Sequence, residues 1–598
     1  MLLGQGGFGW LDRSVVVAYF VGITLFGLWV ARKIRTSGGY FLGDRNLPWW
    51  VMAGQSFGTG TNAENPVAQA GATFADGFAT IWYQWKNMLI TPFYWLLAPW
   101  YRRSQRTTIA EIIEDRYGRT LGLIYAVFAV AYFVFAQGAM LKGAGKVISV
   151  ATGGDIISPN GVVVAMTGAF LLYSFFGGLI ASAYTDFVQG FLIIVLSFML
   201  IPAGLAAVGW FSGMRAVLPP DFFDLYNEKS GIDGFVIAML ALNGLVGITA
   251  QPHMLSMYAT GRSERAGRVG MTYGSMVKRF CTIGWALTGL IVAALVIKLG
   301  VTLNEPEEAF GYACRHCLGP GLVGLMVACV LAANMSTCSN FMVNTGALFT
   351  RNIYFDYMRP KAGDRELLLV GRLSGLGLTM LGVLFALYVE HILSAFMFTE
   401  TLPALMGIMF MGGFLWKRAN RHGALASIVV AFAAYYALNY LMTCHTPSGP
   451  SSTLWPAFQH LGECWQTGGL GEFLGSGELL LVSKWHGGPF GCAMLAGFAA
   501  FVLVSLLTLP ETPERVRRFF EKMEYTSDDG QRSGSQSPTP AAALGTELLL
   551  LDVPGWFTAA RWRGFFTRYR EDILGFVLAW GSVALLVGMA WALMQIGK

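Results

Sequence analysis

The stretch GQSFGTGTNAENP, residues 54–66, places three glycines and a proline in a segment that is otherwise apolar and long enough to cross a membrane. A second segment, NGLVGITAQPHM at residues 243–254, also carries a proline directly after an amide residue. Glycine and proline weaken the hydrogen-bond ladder of a helix, and free backbone groups are tolerated inside a membrane only where they line a cavity or bind something. The pair therefore predicts two discontinuous helices around a transport site. The alternative is that the glycines only allow close helix packing.

The composition of the whole chain is that of a membrane protein. Of 598 residues, 55% are hydrophobic and only 13% are charged, which is about half the charged share of a soluble domain. Apolar stretches of about 20 residues recur along the chain and predict an all-α polytopic membrane protein with about 14 spans. The predicted spans begin near residues 14, 49, 78, 121, 161, 185, 235, 279, 320, 368, 394, 422, 486 and 573.

The distribution of basic residues predicts how the spans are oriented. With the N-terminus outside, most of the 41 Lys and Arg residues fall in or beside the inner loops, as the positive-inside rule requires. Both termini are therefore expected outside the plasma (inner) membrane. The net charge of +6 follows from these loops, so no nucleic-acid partner is expected.

Three regions are expected from this layout. Residues 1–509 form a membrane domain of 13 spans, residues 510–572 form a basic, low-complexity loop in the cytoplasm, and residues 573–598 form the last span. The loop is interpreted as a tether for the last span, with a regulatory tail as the alternative.

Four cysteines fall on the predicted outer face. Cys314 and Cys317 lie in the motif CRHC, and Cys444 and Cys464 lie in a later loop. Disulfides are expected because that face is oxidising. A metal site that includes His316 is the alternative for the first pair.

A cluster of polar side chains, LAANMSTCSN at residues 331–340, lies inside another apolar span. Ser and Thr hydroxyls there, with carbonyls freed at a helix break, can form an oxygen cage for a small hard cation. Serines in membrane helices also bond back to the preceding turn or join helices. A cluster that faces a broken helix favours the cation.

Several stretches of the chain resemble the sodium/solute symporters, the family of the sodium/glucose, sodium/proline, pantothenate and sialic-acid cotransporters. They are GGLIASAYTDFVQGFLIIV (177–195), LAANMSTCSNFMVNTGALFTRNIY (331–354), FLWKRANRHGA (414–424) and AQPHML (250–255). The last is closer to the proline and pantothenate branch than to the sugar branch. The resemblance covers roughly residues 14–442 and implies the LeuT-like fold: two inverted five-helix repeats, spans 2–6 and 7–11, with extra flanking helices.

The resemblance implies that Na⁺ is the coupling ion. Its site would use the carbonyl oxygens of Gly58, Thr61 and Ala333 and the hydroxyls of Ser336 and Thr337. Five oxygens without a carboxylate suit a weakly held, exchangeable ion.

A second Na⁺ site is implied less completely. Asp186 and Ser339 match two of its residues, but Asn340 stands where a serine is expected. Asp186 is equally compatible with a structural partner or a proton site.

The substrate contacts implied by position are Asn65, Gln84, Lys86, Gln251 and Phe396. Gln84 stands where the sugar transporters have a glutamate, so a sugar is not implied.

Lys86 is expected roughly 12 Å deep in the third span, at 1.5 Å per residue. Because buried charges in membranes are costly, it is expected to engage a substrate carboxylate, or to be held by Glu64 or Glu400. The alternative is that its ammonium reaches the outer surface.

Together these features predict sodium-coupled uptake of a small polar or organic-anion solute by alternating access. A proton-coupled carrier and a solute sensor on the same scaffold are the alternatives. The sequence lacks the His-Glu-x-x-His metal motif and a Walker phosphate loop, and an enzyme is not expected. The expected partners are a small-molecule substrate and the lipid bilayer, with the chain as a monomer.

Overall fold

The protein is almost entirely helical in the residues that the structure, a computed structural model, describes. These are residues 8–32, 34, 36–152, 158–227, 232–388, 392–445, 487–525, 547–551 and 562–598.

The helices are numbered in chain order. They are α1 (Trp10–Ala31), α2 (Ser37–Leu42), α3 (Trp49–Thr59), α4 (Glu64–Asp76), α5 (Trp82–Trp85), α6 (Thr91–Ser104), α7 (Ile109–Tyr117), α8 (Arg119–Ala151), α9 (Pro159–Phe198), α10 (Leu200–Val208), α11 (Trp210–Arg215), α12 (Gly234–Ala250), α13 (Met254–Tyr258), α14 (Glu264–Leu299), α15 (Ala309–Cys317), α16 (Leu322–Leu348), α17 (Asp364–Tyr388), α18 (Ile392–Leu415), α19 (Arg421–His445), α20 (Gly487–Leu507), α21 (Pro513–Met523), α22 (Phe565–Arg568) and α23 (Arg570–Gln595). Short 3₁₀ turns occur at Gly43–Arg45, Phe78–Ile81, Pro220–Phe223 and Pro306–Glu308, and a π-helix, Phe349–Met358, continues α16.

Ten helices in the described parts of the chain are long and apolar enough to cross a membrane, and α12 is a shorter apolar helix. The protein is therefore a multi-pass membrane protein. In the most apolar 18-residue stretch of α14 and of α16, 89% of the residues are buried, whereas in that of α1 only 17% are buried. Thus α14 and α16 form the centre of the bundle and α1 lies at its edge.

The two predicted helix breaks are present. Helix α3 ends at Thr59 and α4 begins at Glu64, while α12 ends at Ala250 and α13 begins at Met254. At the second break Gln251 is extended, with φ −68° and ψ 123°, as expected for a residue that precedes a proline. At two places in the core, the backbone therefore has N–H and C=O groups that are not part of a helix.

The predicted spans near 161 and 185 fall in one element, α9, that is interrupted at Gly178. This residue has φ 49° and ψ −150°, a left-handed conformation that favours glycine. A Cβ there would lie 2.5 Å from the ring of Tyr40. The two segments of α9 therefore meet at a single residue.

The buried carboxylate of Asp12 caps α16 from a neighbouring helix. Its Oδ1 accepts the N–H groups of Gly321 at 2.8 Å and Gly324 at 2.7 Å. N–H groups in the first turn of a helix have no partner within it, and a negative charge there is favourable. Asp12 thereby fixes α1 against the start of α16.

The expected bridge between Cys314 and Cys317 is wrong, because both residues are free cysteines. They lie three residues apart on α15, and both thiols are buried in the apolar core. Because residues three apart on a helix lie on the same face, both side chains enter the same packing surface.

A metal site at His316 is also not formed. Its ring stacks on Tyr312 with the centroids 3.9 Å apart, and the part of the chain that the structure describes holds no cluster of three or more His, Cys, Asp or Glu arranged for a metal ion. The expected pair of Cys444 and Cys464 lies outside the described residues, because neither the position of Cys464 nor the side chain of Cys444 is described.

Helix α21, from the predicted 510–572 loop, docks on the protein. Phe519, Phe520 and Met523 are buried, and the helix packs against α6 and α7. The Phe519 ring meets that of Phe414 edge-on with the centroids 5.0 Å apart. The apolar face of α21 therefore covers the ends of other helices.

Charged pairs hold the same helix in place. Arg103 donates to the Met523 carbonyl at 2.7 Å, and Lys522 lies 2.8 Å from Asp115. Burial alone would raise the pKa of Asp115, but hydrogen bonds from Arg106 and Lys522 hold that pKa below its usual range. A carboxyl with a lowered pKa stabilises the fold above its unfolded value of about 3.9 and loses that contribution as the pH falls through the folded value. At neutral pH the contribution is complete.

We expect Asp12→Ala to lower the free energy of unfolding by about 1–3 kcal/mol, because it leaves two buried N–H groups unpaired. Asp12→Asn keeps an acceptor oxygen and should lose less. Thermal unfolding of the detergent-solubilised protein measures both variants. Equal losses would contradict the capping role.

We expect Phe519→Ala to speed tryptic cleavage after Arg517 and Arg518 by at least about tenfold. Truncating a buried phenylalanine costs about 3 kcal/mol, and cleavage follows the population of the open form. Phe566→Ala is the matched control, since Phe566 is 74% exposed. Unchanged cleavage in Phe519→Ala would show that α21 is not held by its aromatic face.

Candidate functional site

A polar cavity lies where the two helix breaks meet. Asn62, Glu64 and Asn65 line it from the first break, and Gln251 and His253 line it from the second. All five residues lie within three residues of a helix end, so the helix breaks place them in the cavity wall. The breaks therefore bring polar side chains and free backbone groups to one place in the membrane domain.

The polar cluster 331–340 meets the first break at an oxygen-rich point. The hydroxyl of Ser336 donates to the carbonyls of Gly58 at 3.0 Å and Ala333 at 2.8 Å. The hydroxyl of Thr337 donates to the Thr59 carbonyl at 3.0 Å. These oxygens are buried, and their lone pairs can be shared with a hard cation.

Four of the five predicted ion ligands are thus brought together. Gly58, Ala333, Ser336 and Thr337 converge, and the carbonyl next to Thr337 is that of Thr59. The sequence analysis did not place Thr59 in this cluster. The signal for it is the end of α3, because the last carbonyls of a helix have no partner within it.

Thr61, the fifth predicted ligand, lies in the same turn. Its N–H donates to the Gly58 carbonyl at 3.2 Å. Its hydroxyl is buried and has no hydrogen-bond partner among the described residues.

The two residues predicted for a second ion lie beside this cage. Asp186 accepts from the Thr59 hydroxyl at 2.8 Å, and Ser339 donates to Ser182 at 2.7 Å. Ser182 and Asp186 lie four residues apart on α9, so Ser339 contacts the same segment of that helix that carries Asp186. Oδ1 of Asp186 is buried without a partner in the described structure, which leaves it available to a ligand.

Lys86 points into the protein. Its Nζ lies 2.9 Å from Glu400 and 3.2 Å from the side-chain oxygen of Asn243, and it is 1% exposed. The alternative that Lys86 reaches the surface is therefore wrong, and Glu400 rather than Glu64 holds it. A buried ion pair compensates the cost of placing either charge at this depth.

The predicted substrate residues divide into two groups. Asn65 and Gln251 line the cavity, whereas Gln84 and Lys86 are buried beside it. Gln251 also donates to both oxygens of Glu400 at 3.4 Å, so Lys86 reaches the cavity wall through Glu400. The side chain of Phe396 lies outside the described structure.

Sequence reasoning missed two cavity cations, Lys278 and Arg279. The side chain of Lys278 donates to the Gly60 carbonyl at the first break, and Arg279 donates to the Gln84 carbonyl at 3.4 Å. The span was predicted to begin near residue 279, which would leave both residues at its very start. The structure starts α14 at Glu264, which places both charges inside the membrane domain.

The cavity offers a ligand both donors and acceptors. Oε2 of Glu64, Nδ2 of Asn65, Oδ1 of Asn87 and Nδ1 of His253 are buried, with no hydrogen-bond partner in the described residues. Unpaired buried polar atoms are costly unless a ligand or water meets them. The cavity therefore presents polar atoms that are free to meet a ligand or water.

Comparison with known proteins agrees with these features. A family model described as the sodium:solute symporter family matches residues 40–431. The osmoregulated proline transporter OpuE of Bacillus subtilis is 28% identical over 450 residues, which cover 69% of this chain and 86% of that protein. The sodium/glucose cotransporter of Vibrio parahaemolyticus is 25% identical over 472 residues, which cover 71% and 84%.

Among solved structures, a Na⁺-coupled sialic acid symporter in a substrate-bound, outward-open state is similar with a TM-score of 0.66. The match covers 84% of this chain and 99% of that one, at 17% identity. This likeness shows the fold, which is the LeuT-like transporter fold that the sequence predicted.

We expect Lys86→Met to destabilise the protein by about 3 kcal/mol, because it leaves the Glu400 carboxylate without its cation. The double variant Lys86→Met, Glu400→Gln removes both charges and should recover most of the loss. Thermal unfolding in detergent measures the three proteins. A double variant as unstable as the single one would show that the ion pair is not the reason for the effect.

Proposed function

The chain belongs to the sodium:solute symporter family, and we propose that it takes up a small polar or organic-anion solute together with Na⁺. The observation that carries the proposal is the convergence of the Gly58 and Ala333 carbonyls with the Ser336 and Thr337 hydroxyls. A cage of neutral oxygens suits a hard monovalent cation that must also be released.

The coupling step follows from which helices supply the oxygens. Gly58 lies at the end of α3, and Ser336 lies in the middle of α16. An ion between them favours the conformation in which the two helices are close, by as much as its affinity differs between the two states. A membrane potential of 100 mV adds about 2.3 kcal/mol per charge carried inward.

The charges around the cavity support a solute with a negative group. Lys86, Lys278 and Arg279 are cations and Glu64 and Glu400 are carboxylates. Lys86, Arg279 and Glu64 are buried, and Lys278 and Glu400 are partly exposed. The formal excess is one positive charge in a site of low dielectric constant, where an anion gains most.

Asn65 and Gln251 are the proposed direct contacts to the solute, because both line the cavity. Lys86 is proposed to act through Glu400. Contacts from Gln84 and Phe396 stay predictions.

Asp186 and Ser339 are proposed as part of a second cation site, and the partnerless oxygen of Asp186 supports it. The same oxygen also supports a proton site, which is the form that a proton-coupled carrier would take.

The proposed topology has 14 crossings, with both termini outside the plasma membrane. Each predicted span begins in or beside a described helix when α9 is counted as two segments that meet at Gly178. The proposed regions are the 1–509 domain, the cytoplasmic 510–572 loop and the final span at 573–598. The docking of α21 supports a role for this loop beyond tethering the last span.

The proposal is tested by thermal stabilisation with a panel of solutes, in Na⁺ and in choline. The panel should include proline, glucose, myo-inositol and sialic acid, which are substrates in the names of proteins similar to this chain. We expect a solute that stabilises the protein only in Na⁺ and that enters proteoliposomes along a Na⁺ gradient.

We expect Ser336→Ala to weaken the Na⁺ affinity about tenfold to a hundredfold, as the loss of one buried ligand oxygen costs about 1–3 kcal/mol. Ser427→Ala is the matched control, since Ser427 is a buried serine on α19 that only bonds back to Ala424. Uptake that ignores Na⁺ but follows a pH gradient would replace this proposal with a proton-coupled carrier. Binding without any uptake would favour a sensor.

A further inference from the structure

Asn334 lies between two of the proposed ion ligands but is not one of them. It follows Ala333 and precedes Ser336 by two residues on α16, and it is completely buried. A neutral amide in this position has four hydrogen-bonding capacities to satisfy. What it bonds to therefore shows what the residue does.

The Asn334 amide joins two other elements of the cavity wall. Its Oδ1 accepts the N–H of Ala63 at 2.8 Å, and its Nδ2 donates to the Met140 carbonyl at 2.6 Å. Ala63 lies at the first helix break and Met140 lies on α8. One side chain on α16 thus holds both α8 and the break.

The bond to Ala63 is an N-terminal cap supplied by another helix. Ala63 is the N-cap residue of α4 and has no side chain that could accept a hydrogen bond. The N–H groups at the start of a helix need acceptors, and most caps come from the same segment. Here the acceptor comes from α16, so the start of α4 is attached to α16.

The residues next to these bonds face the solute cavity. Glu64 and Asn65 follow Ala63 directly and line the cavity, and Met140 lines it from α8. The two sides of the first break are therefore attached to α16 in different ways. The α3 side is attached through the ion-cage oxygens of Gly58 and Thr59, and the α4 side is attached through Asn334.

We propose that Asn334 is a positioning residue that transmits Na⁺ occupancy to the solute-binding residues at the start of α4. This inference rests on the proposed sodium-coupled function. When Na⁺ draws the end of α3 onto α16, Asn334 fixes the start of α4 against the same helix. The four residues between Thr59 and Glu64 then have both ends held, and Glu64 and Asn65 take one position.

The test is hydrogen–deuterium exchange of the peptide that covers residues 60–66, in Na⁺ and in choline. No solute is needed, so Na⁺ is the only ligand. In the unmodified protein we expect Na⁺ to slow exchange in this peptide about tenfold, which corresponds to about 1.4 kcal/mol. In Asn334→Leu we expect the Na⁺ effect on this peptide to fall below about twofold, while Na⁺ still raises the unfolding temperature.

A second variant removes the other partner of the same hydrogen bond. Ala63→Pro lacks the donor N–H, and the φ of −65° at Ala63 is one that proline adopts. It should abolish the Na⁺ effect at residues 64–66 as Asn334→Leu does. The double variant should show no further loss, because both changes act on one bond.

Gln137→Leu is the matched control. Gln137 is a buried amide on α8 that donates to the Cys338 carbonyl on α16 at 3.4 Å, so it joins the same two helices without touching the break. Its loss should leave the Na⁺ effect on residues 60–66 unchanged.

The outcomes separate this inference from the proposed function. A full Na⁺ effect on residues 60–66 in Asn334→Leu, or in a folded Ala63→Pro if the first variant does not fold, overturns the inference and leaves the function intact. Loss of all Na⁺ stabilisation in Asn334→Leu also overturns it, because Asn334 would then belong to the ion site. An unmodified protein that Na⁺ neither stabilises nor protects overturns the proposed function and the inference together.

Discussion

A helix that ends inside a membrane domain leaves carbonyl and N–H groups without partners in their own helix, and the rest of this structure depends on how those groups are satisfied. At the first break the carbonyls of Gly58 and Thr59 are met by hydroxyls of α16. The Gly60 carbonyl is met by the ammonium of Lys278, and the Ala63 N–H is met by Asn334. The break is thus held by side chains from two other helices.

This arrangement explains why α14 and α16 each carry polar side chains where they meet the break. Both helices are deeply buried, and each supplies a group that an ordinary helix would supply from its own next turn. The carbonyl oxygens that these hydroxyls meet are the same oxygens that we propose as Na⁺ ligands. In the proposed site, the structural hydrogen bonds and the ion would therefore use the same atoms.

The charges beside the cavity follow the same logic at longer range. Lys86 and Glu400 neutralise each other, and Gln251 links the pair to the second break. Each break is therefore joined to a charged network on a different helix. A solute at the proposed site would contact side chains from both breaks, which is the arrangement that alternating access uses.

Much of this could be predicted from the residues. The membrane class, the two breaks and the hydroxyl cluster at 336–337 follow from local chemistry, because hydropathy, proline and glycine act over a few residues. The carboxylate that holds Lys86, the Thr59 carbonyl, the inward position of Lys278 and the bonds of Asn334 join residues that are tens to hundreds of positions apart. The free thiols of Cys314 and Cys317 likewise depend on which face of α15 packs inward. The sequence by itself determined where helices must stop, since that is a property of each segment. Only the tertiary structure decided which distant groups meet the exposed ends, since that depends on how the helices pack.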